Sequence, residues 1–324
     1  MISRTDYENE IDRLRELVET GLQELLPESD EKSKTLYDAM GYTLGLPGKR
    51  IRPVLLMLAY KSIGGDSEEE ALPFACALEM IHNYSLIHDD LPAMDDDDLR
   101  RGKPTNHKVF GEAMAILAGD GLLSQAFEIL HDEYLSYFNA SLEDESIVYV
   151  LRQRILAGKT IVHACGCQGM IAGQVADIEA EGKAASIETV EYIHENKTAA
   201  IIRAAIMAGM WLTLGDYYDM DEDAVIRALF TYGDCLGKAF QVADDILDYE
   251  STTEVLGKTA GKDLKAGKAT YPATLGIEAS RQKLLELTGE AIQAAEELRE
   301  LENTKGLYID ILQELARDLA GRLK

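Results

Sequence analysis

Two aspartate runs about 150 residues apart, His88-Asp89-Asp90-Leu91-Pro92-Ala93-Met94-Asp95 and Gln241-Val242-Ala243-Asp244-Asp245-Ile246-Leu247-Asp248, are the side chains best placed to do chemistry. Each adjoins a stretch that is apolar at helical spacing, where an ionised carboxylate is disfavoured unless a cation or hydrogen-bond donors meet it. Aspartates from distant segments that share this predicament point to one hard-metal site with all-oxygen ligands. Mg²⁺ in such sites keeps several waters and bridges a few carboxylates to substrate phosphates, so a phosphorylated substrate is expected. Asp244 and Asp248 stand at i and i+4, about 6 Å apart along a helix and on one face. Asp89 and Asp95 would diverge on an ideal helix. Pro92 lacks an N–H and clashes with the carbonyl four back, which opens the helix and lets Asp95 loop back beside Asp89. Taken alone, Asp95 to Asp98 would be a solvated acidic helix end.

The elements that must position these groups are helical. Apolar periodicity predicts helices over about 6–26, 31–46, 52–64, 68–91, 110–137, 144–172, 186–214, 221–250, 271–300 and 304–323, and strand alternation is hard to find. Turn chemistry separates them at Gly64-Gly65-Asp66-Ser67, Asn139-Ala140-Ser141, Gly215-Asp216 and the Gly/Lys-rich 257–268. Three helices carry polar groups on core-facing stripes. Ala75, Leu78, His82, Ser85 and Asp89 form one line beside Ala77, Ile81, Tyr84 and His88. Lys197 interrupts the stripe Ile187, Val190, Ile193, Ile201, Ala204. Asp244 and Asp248 continue the row of Leu236 and Phe240. The expected architecture is an all-α, single large helical bundle, residues 1–324 as one domain, enclosing a central apolar cavity.

Composition bounds the partners. The 324 residues are 46% apolar, ample for a core without disulfides. A net charge of −26 argues against nucleic acid, and leaves any anionic substrate to be drawn in by local cations or bound metal. Cys76, Cys165, Cys167 and Cys235 lie in apolar or Gly-rich surroundings, and Cys165-x-Cys167 lacks zinc spacing, so buried free thiols are expected. The polar, acidic Met1–Glu10 is no signal peptide, and no apolar run approaches a membrane span, which makes the cytoplasm the default expectation.

The run from Ser85 through His88-Asp89-Asp90-Leu91-Pro92-Ala93-Met94-Asp95-Asp96-Asp97-Asp98 to Gly102, together with Phe240 to Asp248, resembles the trans (all-E) prenyl diphosphate synthases. The similarity runs from about Leu44 to Gly276 and includes both aspartate-rich motifs. It implies chain elongation of an allylic diphosphate by isopentenyl diphosphate, through ionisation, condensation and elimination. It implies three Mg²⁺ ions, with Mn²⁺ as a substitute, held by Asp89, Asp95 and Asp244 and assisted by Asp90, Asp245 and Asp248. It places the isopentenyl diphosphate against Lys49, Arg52, His82 and Arg101, where Arg forks suit phosphate oxygens without metal. It places the allylic diphosphate against Arg100, Lys197, Thr198, Gln241, Lys258 and Lys268. The resemblance also implies a homodimer.

On the residues alone, His82 could be a satisfied core histidine and Lys268 a solvated surface charge. Two departures from the family pattern stand out. The glycine-rich loop before the basic run reads Gly45-Leu46-Pro47-Gly48-Lys49-Arg50, which is stiffer. Gly257-Lys258-Thr259 resembles the end of a P-loop but lacks its first glycine, Thr252 standing there, and no strand precedes it. By the same resemblance, product length follows tunnel depth, and Tyr84 with Ser85 and the Pro92-Ala93 insertion is similar to bacterial-type farnesyl diphosphate synthases. The expected product is therefore C15, with C20 or C10 as alternatives and a plain core role for Tyr84 left open. A class I terpene cyclase would share the fold but carry an Asn/Ser/Glu motif in place of Asp244-Asp245-x-x-Asp248. A non-catalytic partner subunit would tend to lose a motif that is intact here.

Overall fold

The computed structural model describes residues 2–27, 29–138, 145–214, 220–250 and 268–321. Its helices are α1 (Arg4–Glu24), α2 (Lys34–Leu44), α3 (Ile51–Ser62), α4 (Glu68–Asp89), α5 (Asn106–Phe110), α6 (Glu112–Phe138), α7 (Glu145–Cys165), α8 (Met170–Ala180), α9 (Ile187–Ile193), α10 (Ala200–Trp211), α11 (Met220–Glu250), α12 (Tyr271–Leu275), α13 (Ile277–Glu297) and α14 (Gly306–Gly321). One two-stranded antiparallel pair, β1 (Leu99–Arg100) and β2 (Lys103–Pro104), sets Leu99 opposite Pro104 and Arg100 opposite Lys103. The fold is all-α, as the periodicity predicts.

Helices α3 and α10 are the innermost. Every residue from Pro53 to Tyr60 is buried, and so is α10 apart from Arg203, because both helices are apolar on all faces. They approach closely: a methyl on Gly209 would stand 2.2 Å from the Leu56 carbonyl oxygen. Around them α4 packs on α6 and α11 on α13, and the buried apolar side chains form one continuous core.

Breaks in the helices differ from the periodicity and have local causes. The expected helix 144–172 stops at Cys165 and restarts at Met170, because the chain turns at Gly169, whose Cα lies against Ala164; a methyl there would sit 2.1 Å from the Ala164 oxygen. The new helix α8 runs past the expected end, to Ala180. The stretch 271–300 divides at Gly276, whose φ of +82° suits a residue without Cβ. Inside 186–214 a single π turn, His194–Ala199, interrupts the α-helix.

Two further expectations are corrected. Residues Glu112–Tyr137 within α6 are long and apolar enough, by length and composition, to cross a membrane. That helix packs against α4, α2 and α7, and Ile116, Leu117 and Leu135 stay exposed on its outer face among Glu112, Asp120, Glu128 and Asp132. Cys76, Cys165 and Cys235 are buried thiols, but Cys167, in the turn after α7, is exposed.

Gly209→Ala should overpack the α3–α10 crossing and destabilise the protein by about 1–3 kcal/mol, read as a lower urea midpoint at unchanged slope.

Candidate active site

The π turn is where the cavity is built. An extra residue in one helical turn re-aims the side chains that follow, and such turns are frequent at functional sites. Two glycines clamp this one. A methyl on Gly173 of α8 would lie 2.1 Å from Lys197 N, and one on Gly237 of α11 would lie 2.6 Å from Ala199 Cα. Backbone thus meets backbone on both sides, which fixes Lys197 and Thr198 toward the interior. Lys197 Nζ donates to Asp177 Oδ2 at 2.5 Å, and Lys268 Nζ lies 3.0 Å from Asp95 Oδ1 and 3.9 Å from the same Asp177 oxygen.

After α4 the chain folds back at Pro92. Asp95 N donates to Asp89 O at 2.9 Å, and Asp96 N to Leu91 O at 3.1 Å. This turn brings the Asp89 and Asp95 side chains to one cavity of about 200 Å³, whose wall also includes Asp97, Asp177, Asp244 and Asp245. The two remote aspartate runs therefore face a common space. Burial pushes the Asp89 carboxyl up to about 6, Lys197 partly offsetting it while Asp95 adds to it. A carboxylate so placed is one that a cation would stabilise in its charged form. Among the described residues no three acidic, Cys or His side chains are close enough to grip an ion unaided. The donor set is all oxygen. It fits a hard divalent cation that completes its shell with water and substrate phosphate, as Mg²⁺ does.

Not every aspartate of the runs joins this wall. Asp90 is buried and turned away into a two-pronged pair with Arg100 (Nε to Oδ1, 3.0 Å, and Nη2 to Oδ1), with Asp97 3.5 Å from the same guanidinium. Burial still raises the Asp90 carboxyl, with Arg100 opposing. Asp248 is 4% exposed, does not line the cavity, and has one carboxylate oxygen without a hydrogen-bond partner among the described residues. The expected inward row fails at Phe240 also, which faces a groove between α1 and α14. Asp245 lines the cavity but is fully engaged. It accepts from Gln241 Nε2 (3.0 Å) and Tyr271 N (3.0 Å), and lies 3.1 Å from His194 Nε2; Gln241 Oε1 accepts from Thr198 Oγ1 at 2.7 Å.

A second, metal-free set of cations sits across the cavity. Arg52 Nη1 is 3.2 Å from His82 Nε2, and Arg52 Nε is buried without a partner among the described residues. Burial, reinforced by Arg52, Arg101 and Arg100, holds His82 well below the usual histidine range, so the ring is neutral at pH 7 and can accept from Arg52. Arg101 lies flat on Gly48, with a hypothetical Gly48 methyl 2.7 Å from its Nη1. Arg50 holds that loop in place: its buried guanidinium binds Glu79 Oε1 (3.0 Å) and the carbonyls of Leu44 (2.6 Å) and Leu46 (2.9 Å). Crowded cations short of counter-charge make an anion pocket. Lys49 stands apart from it, exposed on the α1–α14 groove, and Lys258 lies outside the described residues.

An apolar cavity of about 520 Å³ shares Leu86, Asp89 and Lys197 with the aspartate-lined one and is bordered by Arg52, His82, Tyr84, Ser85, His88, Leu123 and Met170. Tyr84 and Asp89 border the same space although an ideal helix sets them about 140° apart. Asp177, Asp97 and His194 escape the sequence argument. Asp177 belongs to no aspartate run and sits on a helix hidden by the break at Gly169, and Asp97 belongs to a run that mimics a solvated end. His194, three residues before Lys197, was the one legible signal.

Residues 33–304 match the polyprenyl synthetase family profile. The chain is similar to farnesyl diphosphate synthase of Geobacillus stearothermophilus, 44% identical over 283 residues that cover 87% of this chain and 89% of that one. It is equally similar to the heterodimeric geranylgeranyl pyrophosphate synthase large subunit 1 of Arabidopsis thaliana, 45% identical over 89% of this chain and 74% of that one. Among solved structures it resembles a Helicobacter pylori geranyltransferase complexed with magnesium and isoprenyl diphosphate, with a TM-score of 0.75, 30% identity, and coverage of 100% and 98%.

Gly173→Ala should displace Lys197 and cost a charge-assisted contact, which weakens binding of inorganic pyrophosphate with Mg²⁺ about tenfold in calorimetry while the helical circular dichroism is kept.

Proposed function

The chain belongs to the polyprenyl synthetase family and is a trans-prenyl diphosphate synthase, and from that premise we propose that it makes (2E,6E)-farnesyl diphosphate. It would condense isopentenyl diphosphate first with dimethylallyl and then with geranyl diphosphate. The observation that carries the C15 assignment is Tyr84, buried at the wall of the apolar cavity beside Asp89. An aromatic ring there leaves less depth than a small residue would. Geranylgeranyl synthases are as similar in sequence, so C20 is the alternative product.

Asp89, Asp95 and Asp244 would hold Mg²⁺, with Asp97 at the same wall. When bound, the metal supplies positive charge to the leaving diphosphate. Lys197, Lys268 and Arg100 supply the rest, exchanging their present carboxylate partners for diphosphate oxygens. As the allylic C–O bond breaks, its electron pair leaves with the diphosphate, and preorganised charge in a dry cavity lowers that barrier. The Thr198 and Gln241 oxygens, fixed by their mutual hydrogen bond, present dipoles to the allylic cation. Arg52, Arg101 and the neutral His82 orient isopentenyl diphosphate so that its double bond attacks. The new C–C bond leaves a tertiary cation, which loses a proton to the released diphosphate. No side chain becomes a covalent nucleophile.

A homodimer is proposed from the outer faces of α6 and α8, where Ile116, Leu117 and Val175 stay half exposed. Light scattering should then give about twice 35.8 kDa.

Incubation with labelled isopentenyl diphosphate and each allylic primer should yield mainly C15, and Tyr84→Ala should lengthen it. Mainly C20 from the wild type would refute the farnesyl assignment, and hydrocarbon release from farnesyl diphosphate alone would favour a cyclase. Arg52→Ala should raise KM for isopentenyl diphosphate about tenfold or more, with the allylic KM little changed.

A further inference from the structure

We infer that His88, held in place by Gly119, is a second chain-length determinant that braces the Tyr84 wall of the tunnel. This deepens the farnesyl reading and rests on it. His88 follows Tyr84 by one turn of α4, so both rings lie on the same face. Their centroids are 5.8 Å apart at an interplanar angle of 80°, an edge-to-face contact. Both border the 520 Å³ cavity.

The imidazole is fixed from the far side by α6. His88 Nε2 lies 3.1 Å from the Ile116 carbonyl oxygen and 3.8 Å from Asp120 Oδ1. It fits because residue 119 is glycine: a Cβ there would stand 2.2 Å from Nε2. A prenyl chain long enough to push the Tyr84 ring aside would drive it against an imidazole tied to a backbone carbonyl, and would bury apolar surface near Asp120, which also borders the cavity. Both consequences disfavour a fourth isoprene unit. The α4–α6 contact thus sets tunnel depth as well as stability.

Two substitutions should move product length in opposite directions. His88→Ala removes the brace and should raise the C20-to-C15 ratio about tenfold, the low end of what one methylene in an apolar pocket discriminates. Gly119→Ala pushes the imidazole off α6 toward the tunnel and should enrich C10 at the expense of C15. The readout is the ratio of products from labelled isopentenyl diphosphate and dimethylallyl diphosphate, which a loss of folded enzyme does not shift. Tyr84→Ala runs alongside. If neither His88→Ala nor Gly119→Ala changes the ratio, the inference is overturned, whatever Tyr84→Ala does. If Tyr84→Ala lengthens the product while neither His88→Ala nor Gly119→Ala moves it, the farnesyl reading stands without the brace; if His88→Ala lengthens it while Tyr84→Ala does not, bracing of Tyr84 is overturned and the Tyr84 assignment falls with it.

Discussion

The site depends on carboxylates carried into a low-dielectric interior without enough cations of their own. Asp89 illustrates the constraint: burial lifts its carboxyl to about 6, and Lys197 only partly relieves it. Further positive charge entering the cavity would stabilise such a group in its ionised form. The surrounding cations are arranged to match. Lys197, Lys268 and Arg100 each lie near an aspartate of the cavity wall, Asp177, Asp95 and Asp97 in turn, so the anionic and cationic halves hold one another. Across the cavity the imbalance is reversed. Arg52 and Arg101 crowd a histidine held neutral, an arrangement that favours an anion.

Backbone devices keep this arrangement rigid. Pro92 ends α4 and turns Asp95 back on Asp89. The π turn between α9 and α10 delivers Lys197 and Thr198, and Gly173 and Gly237 let neighbouring backbone approach it closely on both sides. Asp245, with His194 and the Tyr271 amide, orients Gln241 from behind. These groups act through geometry, and their displacement by an ångström would matter as much as loss of a ligand.

Much of this was legible in the sequence, for identifiable reasons. Helical periodicity is a strong signal in a chain this apolar, so the all-α class follows from it. Pro92 forecast the return of Asp95 because proline has one conformational consequence in a helix. Other residues were unreadable because their roles arise from tertiary contacts. Asp90 and Asp89 are neighbours in a run, and only the position of Arg100 sends one to a salt bridge and the other to the cavity. Lys49 precedes Arg50 and Arg52 in one basic stretch, yet the left-handed backbone at Arg50 turns it onto another face. Asp248 shares a helical row with Asp244, but the cavity ends before it.

The most direct test is calorimetric titration of Mg²⁺ into the protein with and without inorganic pyrophosphate, in the wild type and in Asp89→Asn and Asp244→Asn. If the two segments grip one metal-bridged diphosphate, uptake is strong only when both ligands are present, and either substitution weakens it about tenfold or more. Wild-type uptake in both variants would contradict a shared site.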